Sequence, residues 1–347
     1  MPPLSERLRE RILREGPVSF RDFMEAALYD RADGYYTRGA SIGEGGDFVT
    51  SPTVTPAFAS AIARQFLRDM AGRGGPLDFV EAGSGSGEFL ADFDAAIRRL
   101  DPSAAGRVRL TAIERSEAGR RQIRSRQLVE APRLLSSAEE LGERSVHGWI
   151  FSNELFDALP VVRVGGSSDG LKELRVGVQG AGFVWVEAPA PPALSAHLAS
   201  FDIGLAPGQN AEISPDAATL YRRFARALAE GALVTFDYGH RASVLYHPLA
   251  RPRGTLTVFA AGRRGGDPLE RAGEVDLTAH VNWDDLVRAG ESEGLATRGI
   301  LRQGRWLAEA GILDFASSDA EKWRIYRLID PEAMGEELSV LIQTRDA

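Results

Sequence analysis

The run Glu81-Ala82-Gly83-Ser84-Gly85-Ser86-Gly87 closes a short apolar stretch, Leu77 to Ala82, and opens an amphipathic one. Glycines there permit a tight turn and let a ligand lie against the backbone at a helix N-terminus. The spacing is GxGxG, not the GxGxxG with which dinucleotide enzymes seat a pyrophosphate on the helix dipole. Glu81, just ahead of the loop, suits a ligand with a positive amino group better than a pyrophosphate. S-adenosylmethionine has such a group and a sulfonium centre, and no phosphate. Read alone, the loop leaves a nucleotide or a plain structural turn open. Glu114 ends the next apolar run, where a carboxylate can accept hydrogen bonds from both ribose hydroxyls. NAD enzymes use the same device, so Glu114 supports an adenosine cofactor without naming it.

The most informative cluster is Phe151-Ser152-Asn153-Glu154-Leu155-Phe156-Asp157-Ala158-Leu159-Pro160. It follows a buried run, so Asn153, Glu154 and Asp157 are expected at the carboxyl edge of a parallel sheet, where such folds bind ligands. A helix cap made by Asn153 is the alternative. Asp237-Tyr238-Gly239-His240 ends a strand on the same expected edge. Two more polar clusters, around Asp47 (Gly46 to Pro52) and at Asp276 to Val281, read equally well as a turn and a helix start.

The elements that must hold these residues follow from periodicity. Leu4, Leu8 and Ile12 mark an amphipathic N-terminal helix, and Pro56 to Met70 another helix. Leu77–Ala82, Val108–Glu114, Arg133–Ser136, Gly148–Ser152 and Ala232–Tyr238 read as strands, with helices over Gly87–Leu100, Ala118–Val129 and Asp216–Glu230, the last capped by Ser214. Such alternation predicts an α/β fold with a parallel sheet covered on both faces. Leu171–Val178 and Phe183–Glu187 flank Gln179-Gly180-Ala181-Gly182 as a β-hairpin. Near the C-terminus the pattern gives a helix over Trp283–Glu293 and strands over Leu295–Leu301 and Leu338–Thr344.

Composition removes several chemistries. With no cysteine there are no disulfides, thiolate catalysis or Cys-based metal centres. The five histidines show no tight ligand spacing, so no metal is expected. A net charge of −8 disfavours wrapping a nucleic-acid backbone, and the basic run Arg120, Arg121, Arg124 and Arg126 reads as a solvated helix face. No apolar run approaches the roughly 20 residues of a membrane span. The N-terminal arginines are interleaved with Glu6, Glu10 and Glu15, unlike a transit peptide, and a bacterial cytoplasm is the expected setting.

Several stretches in this order resemble the MidA family of S-adenosylmethionine-dependent methyltransferases. They are DFMEAALYDRADGYY (22–36), GDFVTSP (46–52), EAGSGSG (81–87), SNELFDALPV (152–161), EISPDA (212–217), TFDYGH (235–240), DLTAHVNWDDL (276–286) and QGRWLAEAGI (303–312). The resemblance implies a Rossmann-like sheet of seven strands, the last antiparallel, with an N-terminal helical segment and a β-hairpin/loop insertion. It implies S-adenosyl-L-methionine over Gly83, Gly85 and Gly87, with Glu114 on the ribose and SNELFDALP lining the methyl-transfer centre. The family includes a mitochondrial arginine methyltransferase that helps assemble respiratory complex I, so the implied partner is a protein, a complex I subunit in the first instance. Departures from the family pattern stand at Thr53, where a glutamate is usual, at Ser86, where many members are basic, at Arg302, where threonine is usual, and across Thr257–Arg264.

These readings combine into one set of expectations. Residues 1–75 form a helical and loop segment packing over the cofactor site. Residues 76–347 form the core, with an insertion at about 161–210 and a lid-like loop at about 239–275. Glu81, Gly83, Gly85, Gly87, Glu114 and Asn153 bind the cofactor. Glu154, Asp157 and Asp47 are the catalytic carboxylates, able to hold a guanidinium bidentately, localise its charge and take its proton. A different acceptor, a non-catalytic cofactor-binding assembly factor and an NAD-type oxidoreductase are the competing functions.

Overall fold

The structure, a computed structural model, describes residues 2–38, 50–126, 128–260 and 263–346. Asp47 lies outside the described residues. The chain divides into two compact units, one of residues 42–155, 219–238 and 286–347, the other of residues 1–41, 156–218 and 239–285.

The first unit is built on seven strands: β1 (Leu77–Ala82), β2 (Val108–Ile113), β3 (Arg133–Leu135), β4 (Val146–Asn153), β5 (Leu228–His240), β6 (Ala296–Arg302) and β7 (Leu338–Arg345). Their order across the sheet is β6-β7-β5-β4-β1-β2-β3. Neighbours from β3 to β5 pair parallel, while β7 runs antiparallel to both β5 and β6. This is the Rossmann-like α/β sheet that the sequence leads one to expect, with its last strand antiparallel. Order reverses at β1, with β4 on one side and β2 on the other, so the crevice at its carboxyl end is where ligands enter such sheets.

Local sequence explains the layers. Every residue of β1 is buried, as befits a strand covered on both faces. Helix α1 (Pro56–Asp69) starts at a Thr55 cap whose hydroxyl accepts from the Ala57 N–H, with proline at its first position. Helix α2 (Glu88–Leu100) turns Phe89, Leu90, Phe93 and Ile97 inward. Phe79 and Phe93 stack at 3.7 Å, and Phe89 and Phe151 at 4.7 Å, in an aromatic layer that also includes Phe58, Phe66 and Trp149. Helix α3 (Glu117–Ser125) begins at Ser116, whose hydroxyl accepts from Gly119 N–H, and buries only Gly119 and Ile123.

The second unit contains a five-stranded antiparallel sheet. The expected hairpin forms from Gly170–Gln179 and Gly182–Pro189, and is extended by Val162–Ser167, Asn210–Ile213 and Val18–Ser19. The Pro-rich stretch after the hairpin starts a helix, Pro192–Ala199. The region 239–273 is not structureless: it contains a helix, Ala242–Leu245, and strands Thr257–Ala260 and Arg263–Arg264, the former paired with Asp276–Thr278. Ser214 does not cap the following helix, which runs Pro215–Ala227; its hydroxyl makes no hydrogen bond among the described residues, and proline takes the first helical position. Among the described residues no helix is long and apolar enough to cross a membrane, and no group of three or more His, Asp or Glu side chains could hold a metal ion.

Candidate active site

The loop between β1 and α2 turns on left-handed glycines: Gly83 at φ 77°, Gly85 at φ 52° and Gly87 at φ 73°. Gly87 is doubly constrained, because a Cβ added there would meet Ile123 Cγ1 of α3 at 2.8 Å. The loop is anchored to the end of β2: the N–H groups of Gly83 and Ser84 donate to Ile113 O at 2.9 and 3.2 Å. Glu114, immediately after β2, accepts from Gly85 N–H at 2.8 Å through Oε2 and from Ser116 N–H at 2.7 Å through Oε1. Each carboxylate oxygen has two acceptor sites, so both retain capacity for a diol.

Glu81 is 5 % exposed, and its Oε2 has no hydrogen-bond partner among the described residues. Burial pushes its carboxyl up to about 8; nearby Glu114 adds to this, and Ser84 and Arg126 oppose it. A buried carboxyl so placed is satisfied by a cationic group that brings its own hydrogens. Arg126, at the end of α3, reaches back to the loop and donates through Nε to Ser86 O at 2.6 Å and through Nη2 to Ser86 Oγ at 3.0 Å. A guanidinium thus meets the loop at Ser86, although position 86 itself is not basic.

Glu154 stands just beyond β4 with φ 50°, one of few non-glycine residues in the left-handed region. Such conformations cluster at functional sites, where the surroundings hold them. Its N–H donates to Phe236 O at 2.9 Å, and the next N–H, of Leu155, donates to Asp237 Oδ2 at 3.1 Å. Its Oε1 accepts from Asn153 Nδ2 at 3.0 Å and from Ser51 N–H at 3.3 Å. Asn153 Oδ1 is buried with no partner among the described residues. Sequence reasoning did not single out Ser51 or Gln303; both are fully buried, and Ser51 Oγ donates to Gln303 Oε1 at 2.9 Å. Both fall inside stretches that resemble the MidA motifs, GDFVTSP and QGRWLAEAGI.

Asp157 falls in the second unit. It is 5 % exposed, and its carbonyl accepts from Ala279 N–H at 2.9 Å. Tyr36 donates to Asp276 Oδ1 at 2.9 Å and stacks on Tyr29, whose hydroxyl donates to Ala158 O at 3.0 Å. Burial, with Asp276 and then Tyr29 and Asp157 nearby, pushes the Tyr36 hydroxyl well above the usual phenol range. The DGYY, FDALP and DLTAH stretches therefore meet in this unit. His280 pairs its ring with His240 at 5.4 Å, and burial, aided by His240 and the neighbouring arginines, depresses it to about 3, leaving it neutral.

Two of the departures have local partners. Thr53 closes its own turn, donating to Thr50 O at 2.9 Å and accepting from Thr50 N–H at 3.2 Å. Arg302 pairs outward, with Glu336 at 3.1 Å and Ser339 Oγ at 3.2 Å. Within the first unit, then, the structure assembles Glu81, Gly83, Gly85, Gly87 and Glu114 around one loop, and Asn153 and Glu154 at the adjacent strand end.

Comparison with known proteins agrees with this geometry. A family described as "Putative S-adenosyl-L-methionine-dependent methyltransferase" matches residues 61–301. A Burkholderia thailandensis protein crystallised with S-adenosyl-homocysteine superimposes with a TM-score of 0.88 at 30% identity, over 99% of this chain and 92% of the other. The human "Protein arginine methyltransferase NDUFAF7, mitochondrial" is 24% identical over 96% of this chain and 81% of its own length. Its Danio rerio counterpart is 26% identical, covering 95% and 84%.

Proposed function

From the premise that this chain belongs to the family of S-adenosyl-L-methionine-dependent methyltransferases, we propose that its methyl acceptor is an arginine of a partner protein. The observation that carries the reading is Glu154: a carboxylate at the carboxyl end of a central strand, in a left-handed conformation, fixed by Ser51 and Asn153. The arginine methyltransferases named above support the acceptor class.

The residues present fit the family's cofactor. Glu81 Oε2 is a buried acceptor suited to its amino group, Glu114 keeps acceptor capacity for its ribose hydroxyls, and Asn153 Oδ1 offers a third buried acceptor. The left-handed glycines leave the backbone bare for its approach. When bound, S-adenosylmethionine supplies a methyl group on a positively charged sulfur.

The remaining work falls to the chain. A guanidinium keeps its proton up to a pKa above about 12, so the attacking nitrogen must be freed of charge. Glu154 accepts hydrogen bonds from the guanidinium, draws its charge away from the reacting nitrogen and takes the proton that methylation releases. Asp157, three residues further along the chain, is the second carboxylate of this reading, and Asp47 the third. Resemblance to the MidA motifs makes a respiratory complex I subunit the first acceptor to assay. The proposed setting is a bacterial cytoplasm.

The test is labelled methyl transfer into proteins of a strain lacking the gene, with mass spectrometry of the modified residue. Glu154→Gln is expected to lower the rate about 100-fold or more, the scale of positioned acid–base catalysis. Unchanged methylation in both Glu154→Gln and Asp157→Asn sinks the assignment of the carboxylates, and a modified residue other than arginine sinks the acceptor.

A further inference from the structure

Glu154 is gripped at two ends by residues that the reaction does not otherwise use. On the backbone side, Asp237 is fully buried, and its two oxygens divide their work. Oδ2 accepts from Leu155 N–H at 3.1 Å, and Oδ1 accepts from Tyr238 N–H at 2.8 Å. Since Phe236 O accepts from Glu154 N–H and Phe236 lies opposite Asn153 in the β4–β5 register, the end of β5 holds the whole 153–155 turn. A side chain entering a left-handed conformation without glycine's freedom needs such a hold.

On the carboxylate side the hold is relayed. Gln303 is fully buried and donates through Nε2 to Leu328 O at 3.2 Å, which fixes its amide orientation. Its Oε1 then accepts from Ser51 Oγ, and the Ser51 N–H donates to Glu154 Oε1. The amide oxygen of Gln303 cannot serve both a donor and Leu328 O, so the order donor-to-Leu328, acceptor-from-Ser51 is the one that satisfies every group.

We propose that Asp237 and Gln303 are positioning residues acting through Glu154, the first on its backbone and the second, by way of Ser51, on its carboxylate. This rests on the reading of Glu154 as the acceptor-facing carboxylate. Neither residue touches the reacting atoms. A purely structural role lowers the melting temperature alone; a positioning role lowers turnover while cofactor affinity stays.

The experiment compares Asp237→Asn, Gln303→Met and Glu154→Gln, singly and with Glu154→Gln as the second change. Asp237→Asn keeps the size but presents an amide NH2 to a backbone N–H, so one hydrogen bond is lost. Initial rates of labelled methyl transfer into proteins of the gene-deleted strain are read beside calorimetric S-adenosylmethionine binding and thermal melts. Each positioning variant is expected to lose about 10-fold or more in rate, in keeping with the sensitivity of catalysis to small misplacements. Binding should stay within about threefold, and each double variant should match Glu154→Gln alone, because residues acting as one unit are non-additive. Rate losses that multiply in the doubles, or that track a loss of cofactor binding, overturn the proposal. Wild-type rates in Asp237→Asn and Gln303→Met beside an inactive Glu154→Gln overturn it and leave the Glu154 reading standing; a wild-type rate in Glu154→Gln overturns both. If Asp237→Asn fails to fold, Gln303→Met and its double carry the same comparison.

Discussion

Cofactor affinity should depend on pH through Glu81, and the size of the effect follows from its burial. Without a ligand the carboxyl titrates at about 8, raised by burial from 4.5. A cationic amino group binds the ionised form, so binding must draw the proton off. At pH 7 about one tenth of the protein has that proton removed, which costs about 1.4 kcal/mol; at pH 6 the cost is about 2.7 kcal/mol. The amino group itself loses its charge near an ordinary α-amino pKa of about 8, so affinity should climb roughly eightfold from pH 6 to 7, about threefold more to pH 8, and then decline. At pH 7 binding should release about 0.8 proton, the balance of about 0.9 leaving Glu81 and about 0.1 taken up by the amine. Calorimetry of S-adenosylmethionine binding in buffers of different ionisation enthalpy measures that number directly. Glu81→Gln should bind about 10-fold or more weakly at pH 8, the loss of a charged hydrogen bond, and should abolish the rise between pH 6 and 8. A heat independent of buffer, or a variant that keeps the wild-type pH slope, refutes the placement of the amino group on Glu81.

The same carboxyl has a stability signature in the cofactor-free protein. Its folded pKa lies above its unfolded value of 4.5, so the fold carries the full benefit of the protonated form at low pH and loses it as pH climbs towards about 8. Glu81→Gln should therefore melt higher than wild type at pH 8, with the difference nearly vanishing near pH 4, below the unfolded value; an equal gain at both values points to packing and not ionisation. At the loop glycines, Gly85→Ala should cost about 1 kcal/mol, left-handed strain alone, since nothing lies within 4 Å of its added Cβ. Gly87→Ala should cost about 2 kcal/mol or more, because Ile123 must also move. Denaturant unfolding of the two variants measures the gap, and equal losses would show that the contact with α3 yields freely.

Much of the first unit was legible because its elements obey simple patterns. LDFVEA carries apolar residues on both faces and stops at glycines, so β1 and the loop follow from residue type alone. Glu114 was legible as the acid at the next strand end. The second unit was harder to read. Val162–Ser167 contains Gly165 and Gly166 and lacks alternation, while Asn210–Ile213 is only four residues long, so neither announces a strand before its partner is known. Prolines at 189–192 look like a break, yet Pro192 is the first residue of a helix, where its missing N–H costs nothing. In the site, residue types gave Glu154 but not its conformation, because no local rule puts a glutamate at positive φ. Ser51 and Gln303 touch across 252 residues of chain, a distance over which spacing carries no information.

The antiparallel strand β7 has a consequence for how the protein is made. Its eight residues lie between β5 and β6, paired along eight positions with one and six with the other, and they follow the other six strands of this sheet in sequence. During synthesis the parallel strands can collapse early, but β6 has no partner until residues 338–345 emerge. Until then β5 is a bare edge, buried on both faces in the finished sheet and able to recruit a strand from another nascent chain. Pairing across so long a separation is also slow. The nascent protein is thus most exposed to misassembly in the interval before residues 338–345 emerge, and a chaperone shielding β5 would matter most then.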